Sequence, residues 1–166
     1  MSTSSTDGPF SPATRSFLRE AGQIVEQSDA GGIEVISDDF ESRYEVRRED
    51  GDSFVVRRRA RAAAPTLQVA SSSGVDVQSW LMLMLRGNIR RSRGLLAAAG
   101  APPTDGPAPG FTGDREGDEL LVSDGSGPRM RFFRVARTDP TWVRWTHIAD
   151  RPLEEIASRL TTEAGW

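Results

Sequence analysis

His147 is the single histidine of the sequence, and Asp150 follows it three residues later. A histidine beside a carboxylate can act as a general base, and a nucleophilic serine would complete a hydrolytic triad. No serine lies in the Gly-x-Ser-x-Gly turn that exposes such a nucleophile. The surrounding segment WTHIA is predicted as a strand, where a lone histidine is usually structural. A small ligand-binding or hydrolytic domain that uses His147 and Asp150 is therefore the weakest functional hypothesis.

The other residue types that support catalysis also lack the required patterns. The chain has no cysteine, and it contains neither a His-Glu-x-x-His motif nor a calcium-binding EF-hand loop. Acidic residues cluster in SDDFES and GDREGDE, where paired carboxylates could act as glycosidase acid and base. Both segments are predicted turns, in which solvated acids are common. We therefore predict no catalytic residue, no metal site and no cofactor, and we predict that the chain is not an enzyme.

Charge and hydropathy argue against two classes of partner. The net charge is −3, and an acidic chain repels phosphate, so we expect no nucleic-acid binding. The longest apolar run, Trp80 to Leu85, has six residues, whereas a membrane span needs about 20. We therefore expect no membrane insertion. The polar start MSTSSTDGPF lacks the features of a signal peptide, which predicts a cytoplasmic protein.

The first half of the chain predicts a helix, a strand meander and a second helix. Residues 1–10 are polar and are predicted as a disordered tail. Ser11 is placed to cap a helix over SPATRSFLREAGQIVEQ, which DAGG would end. Alternating apolar residues then predict four antiparallel strands, namely GIEVIS, SRYEVRR, SFVVRRRARA and PTLQVAS. A helix over 75–87 follows.

The second half predicts another meander and a closing helix. A proline- and glycine-rich stretch at 97–113 is predicted as a flexible loop inside a single domain, 11–166. The segment DELLVSDGSGPRMRFFRVA predicts a hairpin, and TWVRWTHIA predicts a third strand. DRPLEEIASRL predicts a helix capped by Asp150. The predicted fold class is α+β, with an antiparallel sheet or sheets from two strand meanders, each followed by a helix, and with an N-terminal helix.

The stretch SWLMLMLRGNIRRSRGLL combines an apolar run with a cluster of arginines. Helical spacing predicts one apolar face, with Ser79, Met82 and Arg86 on the opposite side and Gly87 as the C-terminal stop. Positive residues just past this stop would either stabilise the helix end or grip an acidic partner. These residues are Arg90, Arg91 and Arg93.

Acidic and aromatic residues complete the predicted binding surface. Trp142 and Trp145, three positions apart on a predicted strand, should face opposite sides, so that one belongs to the core and the other can anchor a partner. The acidic pair Asp38 and Asp39 lies in a predicted loop, where it could contribute electrostatic complementarity. The predicted partner-binding residues are Asp38, Asp39, Arg90, Arg91, Arg93, Trp142 and Trp145.

The order of these segments resembles a known group of proteins over roughly residues 14–165. GGIEVIS, the Asp-Gly hairpin, the helix leading into GNIRRSRGL, GFTGDREGDELLVSD and the closing PLEEI helix are similar to actinobacterial immunity proteins. These form the immunity protein 61 group, akin to the antitoxin of the tuberculosis necrotizing toxin. The resemblance implies a cytoplasmic α+β protein that binds a cognate secreted toxin and occludes its active site. The toxin would be an NAD-hydrolysing enzyme or a related polymorphic-toxin domain.

The resemblance supplies no binding motif that can be transferred residue by residue, so the predicted interface depends on the physical analysis alone. A secretion-associated chaperone or adaptor remains the alternative function. Such a protein would also bind a partner without catalytic residues of its own.

Overall fold

The computed structural model describes residues 10–29, 31–37, 40–49 and 52–166. Most of the predicted N-terminal tail therefore lies outside the described residues. Within them the chain runs from a helix through five strands, a long helix and three strands to two final helices. The elements are α1 (Pro12–Glu20), β1 (Gln23–Gln27), β2 (Ile33–Ser37), β3 (Ser42–Glu49), β4 (Ser53–Ala60), β5 (Thr66–Ser71), α2 (Gly74–Ser92), β6 (Thr112–Glu116), β7 (Glu119–Asp124), β8 (Gly127–Phe132), α3 (Thr141–Thr146) and α4 (Leu153–Thr161).

The strands of the described residues form one antiparallel sheet in the order β1-β2-β3-β4-β5-β8-β7-β6. The first meander provides β1 to β5 and the second provides β6 to β8. They join where β5 pairs with β8, with Val69 opposite Phe132. Helices follow each meander and precede the first. The predicted fold class, α+β with two antiparallel meanders, is confirmed.

The helices cover one face of this sheet. A single core cluster contains strand and helix residues together, among them Val35, Val56, Val122, Leu81 and Ile156. The alternate strand residues, which lie on the other face of the sheet, form ion pairs instead. Examples are Glu34 with Arg43 at 3.3 Å and Glu49 with Arg57 at 2.7 Å. We call this opposite side the open sheet face. Its charges are largely matched in pairs, as is typical of a half-solvated antiparallel sheet.

Helix α2 runs through the middle of the fold and is longer than predicted. It continues past Gly87 to Ser92, because a glycine weakens a helix interior by only about 1 kcal/mol. The predicted one-sided apolar face is wrong, since Ser79 and Met82 are completely buried whereas Met84 is 36% exposed. The reason is tertiary packing, because α2 contacts the sheet, α1, α3 and α4, and these elements cover most of its circumference.

Two short segments adopt a different structure from the predicted one. The first helix ends at Glu20, and Gly22, with a φ of 74°, turns the chain into β1, which pairs with β2. The predicted strand TWVRWTHIA is instead helix α3 with the turn that follows it, and the backbone N–H of Thr141, its first residue, donates to the Asp139 side chain at 2.8 Å. In both cases tertiary contacts decide between helix and strand for a short apolar segment.

Arg129 of β8 joins three separate segments through acidic partners. Its guanidinium lies 2.8 Å from the buried carboxylate of Asp76 in α2 and 2.9 Å from Asp150, and it also contacts Asp124. Hydrogen bonds from Ser126 and from Arg129 lower the pKa of Asp124 to about 2. The predicted capping role of Asp150 is wrong, because its carboxylate binds Arg129 and α4 begins after Pro152 without a side-chain cap.

Candidate partner-binding cleft

His147 and Asp150 do not form a reactive pair. The Nε2 atom of His147 lies 2.8 Å from the carbonyl oxygen of Gly106, which fixes the ring against the loop before β6. Asp150 forms an ion pair with Arg129. Among the described residues, no group of three or more potential ligands is placed to hold a metal ion. Within the same residues, none of the helices combines the length and apolarity that crossing a membrane requires.

A polar cleft of about 440 Å³ lies at the C-terminal end of α2, and we call it the α2 cleft. Three parts of the fold build its walls: the exit from α1, the facing ends of β2 and β3, and the last turns of α2. The lining residues are Glu20, Ala21, Gly22, Ser37, Ser42, Asn88, Arg91 and Ser92. Hydroxyl, amide and guanidinium groups dominate this lining, which suits hydrogen bonding to a polar partner.

The loop between β2 and β3 leaves from the rim of the α2 cleft. The Ser37 hydroxyl accepts a hydrogen bond from the Ser42 N–H at 3.1 Å and donates one to the Ser42 carbonyl at 2.9 Å. The N–H of Phe40 donates to the Ser37 carbonyl at 2.8 Å. The base of the loop is thereby closed, and the backbone of Phe40 is bonded to that of Ser37.

Phe40 is a large apolar side chain that the fold exposes. It is 61% accessible, and its φ of 56° lies in the left-handed region, which costs a non-glycine residue about 1–2 kcal/mol. Residues kept in such conformations concentrate at binding sites, and exposed aromatic side chains are common binding anchors. Sequence reasoning missed Phe40, although an aromatic residue inside the acidic turn SDDFES was the available signal.

The predicted acidic and basic residues lie in several environments. Asp38 and Asp39 are outside the described residues, but their neighbour Ser37 lines the α2 cleft. Arg91 lines the same cleft and donates to the Asn88 side chain at 2.7 Å. Arg93 pairs with Glu20 and donates to the Thr161 carbonyl at 3.1 Å, so it connects the ends of α1 and α4. Its hydrogen bond lowers the pKa of Glu20.

Arg90 does not belong to a surface cluster. It lies inside the last turn of α2 rather than beyond the helix, and it is only 1% exposed. Its guanidinium donates to the carbonyl oxygens of Leu96 at 2.9 Å and Thr162 at 2.7 Å. Gly100 packs so closely on it that a Cβ there would lie 2.6 Å from its Nη1 atom. Arg90 therefore fastens the loop after α2 to the end of α4.

The two tryptophans lie on α3, away from the α2 cleft. Trp145 is completely buried, and its indole N–H donates to the Ser79 hydroxyl at 3.0 Å. Trp142 is half-buried against the core. Along α2, Ser79 and Arg91 are separated by about 18 Å, from the helical rise per residue. The structure therefore does not bring the tryptophans together with Arg91.

Comparisons with known proteins agree with this architecture. The family model described as Immunity protein 61 matches residues 17–165. The solved structure of Rv3902c from M. tuberculosis superposes with a TM-score of 0.81 at 16% sequence identity, covering 97% of this chain and 94% of that chain. At this identity the likeness shows a shared fold. A comparison with curated protein sequences gave no match.

Proposed function

Because the chain belongs to the immunity protein 61 family, we propose that it binds a cognate toxin and occludes its active site with the rim of the α2 cleft. The family match over residues 17–165 is the observation that carries this proposal. It supports an antitoxin role in general terms. The toxin class that the resemblance implies, an NAD-hydrolysing enzyme or a related polymorphic-toxin domain, is part of the proposal, as is action in the cytoplasm.

The geometry of the α2 cleft supports occlusion as the mechanism. The β2–β3 loop is closed at its base by Ser37 and Ser42, the backbone N–H of Phe40 donates to the Ser37 carbonyl, and the Phe40 ring is exposed. A loop whose backbone is already restrained loses less conformational entropy on binding than a mobile one. Phe40 would enter the substrate pocket of the toxin, while Arg91 and the polar cleft wall would bind its rim.

Co-expression tests the proposed function against the adaptor alternative. The toxin domain encoded by the neighbouring gene is expressed with and without this chain, and both growth and co-purification are measured. An antitoxin restores growth and co-purifies with the toxin domain. An adaptor that recognises only secretion signals leaves growth arrested. Absence of both rescue and co-purification would remove the basis of the proposal.

Replacing Phe40 with alanine should weaken toxin binding by at least about tenfold, as truncation of a binding anchor does. The free energy of unfolding should change by less than about 0.5 kcal/mol, because the side chain is exposed. Calorimetric titration and thermal unfolding measure the two effects. The matched control is Val75→Ala, at an apolar residue that is 47% exposed at the opposite end of α2. Equal affinities for the two variants would place the interface elsewhere.

A further inference from the structure

The open sheet face carries a pocket of about 130 Å³, which we call the arginine pocket. Arginines and glutamates from β2, β3 and β4 form most of its walls. The lining residues are Glu34, Arg43, Glu45, Arg57, Arg59 and Pro65. The side chains of Arg43 and Arg57 are 34% and 24% exposed, and Arg59 is half-buried. A bound partner can therefore reach these guanidinium groups from solvent.

One arginine of this pocket has no counter-ion. Arg43 pairs with Glu34 at 3.3 Å, and Arg57 pairs with Glu49 at 2.7 Å. The side chain of Arg59 forms neither a hydrogen bond nor an ion pair with any residue that the structure describes. The N–H donors of this guanidinium are thus available to an acceptor from outside the chain.

The register of β3 and β4 places Arg59 directly opposite Arg43. Residues at such positions have Cβ atoms about 4.5–5.5 Å apart, and like charges there destabilise an antiparallel pair. Because Glu34 already pairs with Arg43, the charge of Arg59 stays uncompensated beside a second guanidinium. An arrangement that breaks a local rule of stability in the free protein is expected mainly at functional sites.

The arginine pocket lies at the end of the sheet from which the β2–β3 loop leaves. Ala60, the residue after the unpaired arginine, lies opposite Ser42, which lines the α2 cleft. The backbone N–H of Arg61 donates to the carbonyl oxygen of Glu41 at 2.9 Å, and the two side chains form an ion pair. Glu41 directly follows Phe40. The exposed ring and the arginine pocket therefore belong to one continuous region of the surface.

We propose that the arginine pocket binds a carboxylate side chain of the toxin through Arg59 and Arg43, an inference that rests on the proposed function. A guanidinium presents paired N–H donors in a plane that matches the two oxygens of a carboxylate. An acidic side chain between the two arginines neutralises their repulsion. A toxin surface that covers the pocket also excludes water, which strengthens the same contacts, and close interfacial charge pairs can contribute strongly to affinity.

A protein carboxylate fits this pocket better than a phosphate or a nucleic acid. The uncompensated charge is that of a single arginine, because Arg43 and Arg57 have acidic partners. Glu34 and Glu45 also line the pocket and repel the larger negative charge of a phosphate group. The net charge of −3 disfavours a polyanion as well. One carboxylate matches the charge that the pocket leaves open.

The test measures the affinity of full-length Arg59 variants for any toxin domain found to be encoded beside the gene, by calorimetric titration. Arg59→Gln removes the charge and should weaken binding by about tenfold. Arg59→Glu places a carboxylate where that of the toxin binds and should weaken binding by at least about 100-fold. The matched control is Arg137→Gln, at an exposed arginine between β8 and α3 whose side chain has no partner among the described residues. Its affinity should stay within about threefold of the unmodified protein.

Thermal unfolding of the free variants separates a binding role from a structural one. Both Arg59 substitutions should leave the melting temperature unchanged or raise it, because each removes repulsion from Arg43. A melting temperature lowered by several degrees in both variants would assign Arg59 to the fold and overturn the site. Unchanged affinity of both variants for a toxin domain that binds the unmodified protein would also overturn the site, but would leave the proposed function intact. If the unmodified protein binds no toxin domain, the proposed function and the site fail together.

Discussion

Replacing Arg129 with methionine should lower the free energy of unfolding by about 3–5 kcal/mol, the range found when one partner of a buried ion pair is removed. The Asp76 side chain is 2% exposed and depends on Arg129 for its neutralisation. Without the guanidinium, a carboxylate would stay buried beside the Ser71 hydroxyl at 3.3 Å. Denaturant unfolding monitored by tryptophan fluorescence measures the loss.

Two further variants identify the cause of this loss. Arg131→Met removes a nearby arginine of the same strand whose ion pair with Glu119 is exposed. It should lower the free energy of unfolding by less than about 1 kcal/mol. Asp76→Asn in the Arg129→Met background should recover part of the lost stability, because it removes the uncompensated charge. If Arg129→Met and Arg131→Met lower the free energy of unfolding equally, the contacts of Arg129 with its three acidic partners contribute little to the stability of the fold.

Replacing Arg90 with methionine should lower the free energy of unfolding by about 2–4 kcal/mol, since hydrogen bonds that involve a charged group contribute about 1.5–3 kcal/mol each and the Arg90 side chain is buried. The backbone oxygens of Leu96 and Thr162 would lose their donor. The adjacent Arg91 provides a matched control, because it is exposed and donates to a side chain of its own helix. Arg91→Met should therefore change stability by less than about 0.5 kcal/mol.

Hydrogen exchange gives the local signature of the Arg90 substitution. We expect amides of the segment after α2 and of the last turn of α4 to exchange faster in Arg90→Met, because these are the parts that the guanidinium connects. The sheet amides should keep their protection. A uniform increase across the sheet, with no excess at these two segments, would contradict the proposed connecting role.

The sequence pattern predicted the parts of the fold that depend on local signals. Strands with clear alternation, such as those around Val35 and Val46, were correctly assigned, and the Asp-Gly turn placed the β7–β8 hairpin. Periodicity failed for β1 and α3, which are five and six residues long, because a short apolar segment fits either structure. The length of α2 was underestimated because tertiary packing outweighs the weak propensity penalty of Gly87.

The candidate site was less predictable than the fold, because burial and pairing are properties of the assembled structure. Arg90, Arg91 and Arg93 are neighbours in sequence, yet they are respectively buried, exposed in the α2 cleft and paired across two helices. Local sequence could not separate these roles.

The most direct test of the central claim is a titration of toxin activity with this protein, using any toxin domain found to be encoded beside its gene. The account predicts complete inhibition at one equivalent, competition with the substrate of the toxin, and a shift of the inhibition curve to higher concentrations for Phe40→Ala. A stable complex in which the toxin keeps its full activity would contradict occlusion of the active site.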